Sequence, residues 1–333
     1  MPLTHLLEKM KIYNHFLAII NNKIEEIAIS SKPENLYSPI RYILSLGGKR
    51  LRPVLTLAAC DLFDAPLSNA MNLALGVEVF HNFTLLHDDI MDKAPLRRGK
   101  ATVHEKWDAN IAILSGDTMF ALAYKQLLKT DSPNLHLILQ SFTQTAIEVC
   151  EGQQLDMDFE EMDNVSISDY INMIRLKTAV LLGCSLKIGA LAGNAVAQQA
   201  NLLYDFGVNV GIAFQLKDDY LDAFGDSDKF GKSIGGDIIE NKKTYLYLKC
   251  LELATADDAK LLQEFYFGKH HNSETKVEKV LSIFRKYQVG AAIKTEMEAY
   301  FEKSIQILHQ IDASGEKKNQ LLEYARWLFE RDY

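Results

Sequence analysis

Residues 211–222 read Gly211-Ile212-Ala213-Phe214-Gln215-Leu216-Lys217-Asp218-Asp219-Tyr220-Leu221-Asp222, a mostly apolar run that ends in D-D-x-x-D. Residues 83–92, Phe83-Thr84-Leu85-Leu86-His87-Asp88-Asp89-Ile90-Met91-Asp92, end in the same way. On a helix, Asp88 and Asp92 share one face, as do Asp218 and Asp222. Like charges so placed repel by a few tenths of a kcal/mol per pair unless a cation lies between them. Oxygen ligands that do not surround an ion suit Mg²⁺, which keeps several waters and takes substrate phosphates as its remaining ligands. Two such clusters, Asp88, Asp89 and Asp92 with Asp218, Asp219 and Asp222, are expected on facing inner helices, holding a diphosphate through bridging Mg²⁺.

The whole chain sets the frame. Its 333 residues, 48% hydrophobic and 24% charged, can bury a large core. A net charge of −8 without a dense basic run argues against nucleic-acid binding. Cys60, Cys150, Cys184 and Cys250 are scattered without metal-ligand spacing, as expected of reduced thiols in a cytoplasmic protein. Residues 1–26 read as neither a signal peptide nor a membrane span. All seven prolines lie at or before Pro133. Helix interiors exclude proline by about 3 kcal/mol, so the proline-free remainder points to successive helices. Apolar residues recur at helical spacing, as in Leu321-Leu322-Tyr324-Ala325-Leu328-Phe329, and no long window alternates. Breaks are expected at Ser31–Pro39, Asp64–Ser68, Pro95–Lys100, Asp131–Asn134, Asp163–Ser168, Phe224–Asn241 and Gly268–Ser273. None resembles a linker, so the expectation is one all-α domain over residues 1–333, a helical bundle.

Basic residues accompany the acids. Arg97-Arg98-Gly99 follows the first cluster, and a guanidinium fork matches phosphate oxygens. Gly47-Gly48-Lys49-Arg50-Leu51-Arg52-Pro53 joins two helical stretches, and its glycines let backbone amides approach an anion beside Lys49 and Arg52. It lacks the spacing of a Walker loop. His81 lies two helical turns before Asp88 and could donate to a second anion. Lys177-Thr178 interrupts an apolar helix, which makes an anionic partner for Lys177 plausible. Lys232 and Lys242 stand in the glycine-rich segment 224–244, read as a loop able to close over a diphosphate.

With those residues laid out, the chain closely resembles the trans-isoprenyl diphosphate synthases, or polyprenyl synthetases. Leu85 through Gly99 meets the first family motif, and Gly211 through Asp222 meets the second. Gly47-Gly48-Lys49 with Arg52, Gly152-Gln153-x-x-Asp156, Lys177-Thr178 and Gly231-Lys232 match in order. The resemblance implies an all-α fold enclosing a deep central cavity, usually as a homodimer. It implies that Asp88 and Asp92 bind two Mg²⁺ ions, and that Asp218, supported by Asp219 and Asp222, binds a third. Arg97, Lys177, Lys232 and Lys242 would hold the allylic diphosphate, while Lys49, Arg52, His81 and Arg98 would hold isopentenyl diphosphate. Thr178 and Gln215 would turn oxygen dipoles toward the developing allylic cation. Lys177, Thr178, Gln215 and Arg97 thus form the expected catalytic set.

Two rivals stay open at this point. A terpene synthase on the same fold ionises one prenyl diphosphate and joins nothing to it, but usually lacks the second acidic cluster and the second-substrate set. A silent partner subunit typically loses aspartates, and all six are present here. For product length, Phe83 lies five residues before Asp88 and Phe80 eight before, where rings would close the floor of the cavity. A fifteen- or twenty-carbon product is the expectation.

Overall fold

The computed structural model describes residues 11–225, 234–268 and 272–330. It is all-α apart from one two-stranded hairpin. The chain divides into two compact units, one of residues 1–142, 184–203 and 312–321, the other of residues 143–183, 204–311 and 322–333.

In the first unit, α1 (Lys11–Glu25), α2 (Glu34–Ser45), α3 (Leu51–Leu62) and α4 (Ser68–Met91) precede the hairpin. The strands β1 (Leu96–Arg97) and β2 (Lys100–Ala101) then lead through a short α5 (Val103–Lys106) to α6 (Ala109–Leu127). Helix α6 starts where Asp108 accepts from the Ile111 amide at 2.8 Å, satisfying one of the orphan donors of the first turn. Its main neighbour is α4. A Cβ built at Gly76 of α4 would stand 2.0 Å from Leu127 Cδ1, so the missing side chain lets the two helices approach. Ile40, Leu57, Leu73, Phe80, Met119 and Leu127 are fully buried around this contact. The break expected to run to Pro39 ends earlier, because α2 begins at Glu34 and carries Pro39 inside it. Proline fits helical φ and removes one amide donor, here the partner of the Asn35 carbonyl. Asn35 is exposed, so water can take that donor's place.

Helix α7 (Leu135–Glu161) begins in the first unit and ends in the second. The second unit continues with α8 (Ile167–Ile174), entered through a reciprocal capping box between Ser166 and Asp169. A π-helical turn over Arg175–Ala179 joins α8 to α9 (Val180–Ala192). Helix α10 (Ala197–Phe224) carries the second acidic cluster. The unit is completed by α11 (Gly236–Ile239), α12 (Tyr245–Leu253), α13 (Ala256–Phe267), α14 (Ser273–Lys286) and α15 (Val289–His309), with the end of α16 (Gly315–Glu330). Its apolar core gathers Tyr170, Ile212, Leu216, Leu262, Phe284 and Ile293. Among the described residues no helix is long and apolar enough to cross a membrane.

Candidate active site

Both acidic clusters sit at helix C-termini. Asp88 and Asp89 lie in the last turn of α4 with Asp92 as its C-cap, and Asp218 to Asp222 occupy the last two turns of α10. The helix dipole is negative there, so each carboxylate costs about 0.3–1 kcal/mol where it would have gained that much at an N-terminus. Both clusters therefore stand against the dipole and against like-charged neighbours.

In the first unit the hairpin turns on Arg98 and Gly99, at φ 53° and 72°. Positive φ at both central residues fits the twist of a two-residue hairpin, a turn that the sequence announced only through Gly99. Strand β1 then delivers Arg97 to Asp89. Its Nε donates to both carboxylate oxygens at 2.9 and 2.8 Å, and Nη2 lies 2.7 Å from Oδ1. Asp89 is buried, and burial pushes its carboxyl up while the Arg97 hydrogen bonds pull it down. Asp88 and Asp92 are more open, the latter exposed.

At the tip of the turn, Arg98 donates to the Gly47 carbonyl. Gly48 has φ 131°, and a Cβ there would stand 2.8 Å from the Arg98 guanidinium. The glycine pair is therefore required by backbone conformation and by the packing of Arg98. Arg52 Nη1 approaches His81 Nε2 at 3.1 Å. A guanidinium only donates, so His81 accepts at Nε2 and its proton is on Nδ1. Desolvation, then the charges of Arg52, Arg98, Arg97 and Arg50, holds His81 well below the usual histidine range. Burial lowers Arg52 to about 10, and its Nε is buried without a hydrogen-bond partner among the described residues. Arg50, which carried no separate expectation, is bound to the buried Glu78 at 2.6 Å. Lys49 lies in the same segment and is exposed.

In the second unit a cavity of about 110 Å³ is lined by Asp156, Lys177, Thr178, Gln215, Asp219, Asp237 and Lys242, among others. Lys177 and Thr178 project from the π turn, an irregularity that often marks functional positions. A Cβ at Gly152 of α7 would stand 2.2 Å from the Lys177 amide nitrogen, so the two backbones touch. One turn beyond Gly152, Asp156 meets the Lys177 amine at 2.6 Å. Thr178 Oγ1 donates to Gln215 Oε1 at 3.2 Å, and Gln215 Nε2 donates to Asp219 Oδ1 at 3.3 Å. The buried Tyr170 hydroxyl donates to Asp219 Oδ2. Burial pushes the Asp219 carboxyl well up, with the Asp237 charge adding to it. Asp219 is thus the fixed member of its cluster, and Asp218 the more open one.

Asp222 accepts the amides of Gly236 and Asp237, both at 3.1 Å, while its carbonyl takes the Gly235 amide at 2.7 Å. Asp237 rises to about 7, first through burial and then through the Asp222 charge. Lys232 lies outside the described residues. Tyr170 and Asp237 are cavity residues that carry no spacing signal in the sequence, since they reach the site only through the fold. Among the described residues no three carboxylate, imidazole or thiolate groups converge to hold an ion alone. A partial donor set is what Mg²⁺ uses when waters and phosphates supply the rest.

Comparison with known proteins decides the family. The polyprenyl synthetase family model matches residues 33–284. The chain belongs to that family. It is 39% identical to the geranylgeranyl pyrophosphate synthase of Geoglobus acetivorans, across 95% of this chain and 97% of that protein. It is 40% identical to the geranylfarnesyl diphosphate synthase of Natronomonas pharaonis, across 69% of this chain and 73% of that one. A crystal structure of a geranylgeranyl pyrophosphate synthase is similar with a TM-score of 0.90 and 45% identity, covering 98% of this chain and 99% of the other. This polyprenyl synthetase is a trans-prenyltransferase that joins isoprenoid diphosphates.

Proposed function

We propose that the enzyme makes a fifteen- or twenty-carbon all-trans prenyl diphosphate from isopentenyl diphosphate and an allylic diphosphate. One observation carries this reading. Phe80 has ring centroids at 5.5 Å from Phe83, 5.8 Å from Phe120 and 5.1 Å from Phe142, and Phe83 lies 5.4 Å from Phe120. Rings from α4, α6 and α7 thus form one plug in the first unit, against the helix whose last turn carries Asp88. Edge and tilted contacts at these distances add to burial and resist displacement. A growing apolar chain that meets this plug stops, and similarity to synthases of two different names leaves the plug as the feature that sets length. Product chromatography after incubation with labelled isopentenyl diphosphate tests it, and a main product beyond twenty carbons overturns it.

The donor set fits Mg²⁺, with Asp88 and Asp92 in the first unit and Asp218 in the second as the ligands we assign. When bound, the metal lowers the cost of charge on the departing diphosphate. Asp89, Asp219 and Asp222 then act by holding those clusters in place. Lys177, Lys242 and Lys232 receive the allylic diphosphate, and Arg97 joins them through the part of its fork not spent on Asp89. Lys49, Arg52 and Arg98 receive isopentenyl diphosphate, with His81 orienting Arg52 as the acceptor of its Nη1 proton. Thr178 and Gln215 present oxygens to positive charge as the allylic C–O bond breaks. The double bond of isopentenyl diphosphate attacks the allylic carbon, and loss of a proton completes the new unit.

A homodimer accounts for Ile113 and Leu114 of α6 and Leu128 at its C-cap, which are 45–59% exposed on one chain. Sedimentation analysis tests it, and a monomer at assay concentration overturns it. Four free cysteines, three of them buried, support action in the cytoplasm.

A further inference from the structure

Lys243, next to the proposed substrate ligand Lys242, uses its ammonium differently. Its Nζ donates to the carbonyls of Phe159, Glu160 and Met162 at 2.6, 3.1 and 2.7 Å. Those carbonyls belong to the C-terminal end of α7, where acceptors lack intrahelical donors and the dipole is negative. An ammonium has three donors, so all of them are spent on main chain. The side chain is buried, and the ring of Phe267 lies 5.1 Å from the charge. On the other flank, Lys276 of α14 donates to the Ile239 carbonyl at 3.4 Å and to the Asn241 side chain, beside the Tyr266 ring at 5.3 Å. Asn241, where Lys276 attaches, is held at φ 61°.

We propose that Lys243 is a positioning residue of the prenyl transfer reaction: it clips the end of segment 235–244 to the end of α7 and so fixes Lys242 opposite Asp156. Lys276 is the second arm of the clip. The inference rests on the reading that the 110 Å³ cavity receives the allylic diphosphate. Helix α7 supplies Asp156 to that cavity, and segment 235–244 supplies Asp237 and Lys242. Asp222 ties the start of the segment, through the amides of Gly235, Gly236 and Asp237. Lys243 and Lys276 tie its end to α7 and α14. A lysine on an unfixed backbone presents its charge over many positions, and misplacement by about 1 Å can cost up to about 100-fold in rate.

Steady-state kinetics on Lys243→Met, Lys243→Arg, Lys242→Ala and the double variant Lys242→Ala with Lys243→Met test the clip. Lys243→Met is expected to raise the KM for the allylic diphosphate about tenfold, with that for isopentenyl diphosphate unchanged. Arginine can donate to the same carbonyls, so Lys243→Arg should return the value to within about threefold. In the Lys242→Ala background, Lys243→Met should add nothing, because it acts through Lys242. An unchanged allylic KM in folded Lys243→Met, or the same fold-change in both backgrounds, overturns the clip. An unchanged allylic KM in Lys242→Ala would instead overturn the reading of the cavity. If Lys243→Met does not fold, Lys276→Met gives the same comparison from the other arm, and a parental allylic KM there overturns the clip equally.

Discussion

Arg97 closes on Asp89 through two atoms, Nε and Nη2, while the neighbouring Asp88 carboxylate stands 3.8 Å from the same Nη2. Two consecutive aspartates therefore have different duties. One is locked by a bidentate contact and buried, and the other is held more loosely and is half-buried.

Asp88→Ala should lower turnover by several orders of magnitude and leave the thermal midpoint unchanged, since it removes a carboxylate from a disfavoured helix end. Asp89→Ala should lower the midpoint as well. Removing one partner of a buried pair costs about 3–5 kcal/mol, and the solvent access of Arg97 reduces that to about 1–3 kcal/mol. Thermal unfolding of both variants checks this. A midpoint for Asp89→Ala equal to that of Asp88→Ala contradicts it.

Gly48→Ala should act on one substrate only. A methyl at this position would stand 2.8 Å from the Arg98 guanidinium, on a backbone at φ 131°. Arg98 must move, and the KM for isopentenyl diphosphate should rise about tenfold on the scale of a 1 Å misplacement. Initial rates with each substrate varied in turn read this out, and an equal rise for the allylic substrate counts against the assignment.

His81 gives the apoenzyme a pH dependence. Its folded pKa lies well below 6.5, so as the pH falls the unfolded chain takes up the proton first. The stability it contributes is complete above the unfolded value and is lost as pH drops below it toward the folded value. Thermal midpoints between pH 7 and pH 5 should therefore fall less in His81→Gln than in the parent. Parallel profiles would mean that His81 titrates normally in the fold.

Phe83→Ala should lengthen the product with a modest loss of stability, because Phe83 is only half-buried. Phe80→Ala should lengthen it further and destabilise more, since Phe80 is fully buried among three other rings and such truncations cost about 3–5 kcal/mol. Each added five-carbon unit gains about 0.8 kcal/mol per buried CH₂, so the chain fills whatever apolar space opens. Chromatography of the products checks both. A folded Phe83→Ala enzyme with the parent's product places the floor elsewhere, with Phe120 the next candidate.

Much of this was legible because it is written locally. D-D-x-x-D declares itself by spacing, Lys177 by its apolar neighbours, and Phe80 and Phe83 by their distance from Asp88 along one helix. The partners of these residues were not legible. Nothing near Asp89 in sequence says that Arg97 will lock it, because a hairpin turning on a non-glycine at positive φ brings them together. Asp237 and Tyr170 reach Asp219 by tertiary packing, which leaves no period in the chain. Pro39 misled the helix boundary because the cost of one missing amide is small where the orphaned carbonyl is exposed.

The π turn at 175–179 sets how far apart neighbouring side chains fan. The Val180 amide returns to the Arg175 carbonyl, five residues back instead of four. Each residue in such a turn advances by a smaller angle around the axis, so Lys177 and Thr178 diverge less than adjacent α-helical residues and can serve one cavity together. The turn also acts as a one-residue insertion in the register of everything that follows. Deleting a single residue there would let the turn close as ordinary α-helix, with the Val180 amide still reaching the Arg175 carbonyl and α9 left in place. Gly183 would keep the place where a Cβ meets the Tyr204 carbonyl at 2.8 Å, and the change would fall on the turn that presents Lys177 and Thr178. A gap in this short stretch of an aligned relative therefore signals a differently built wall, whatever residues flank it.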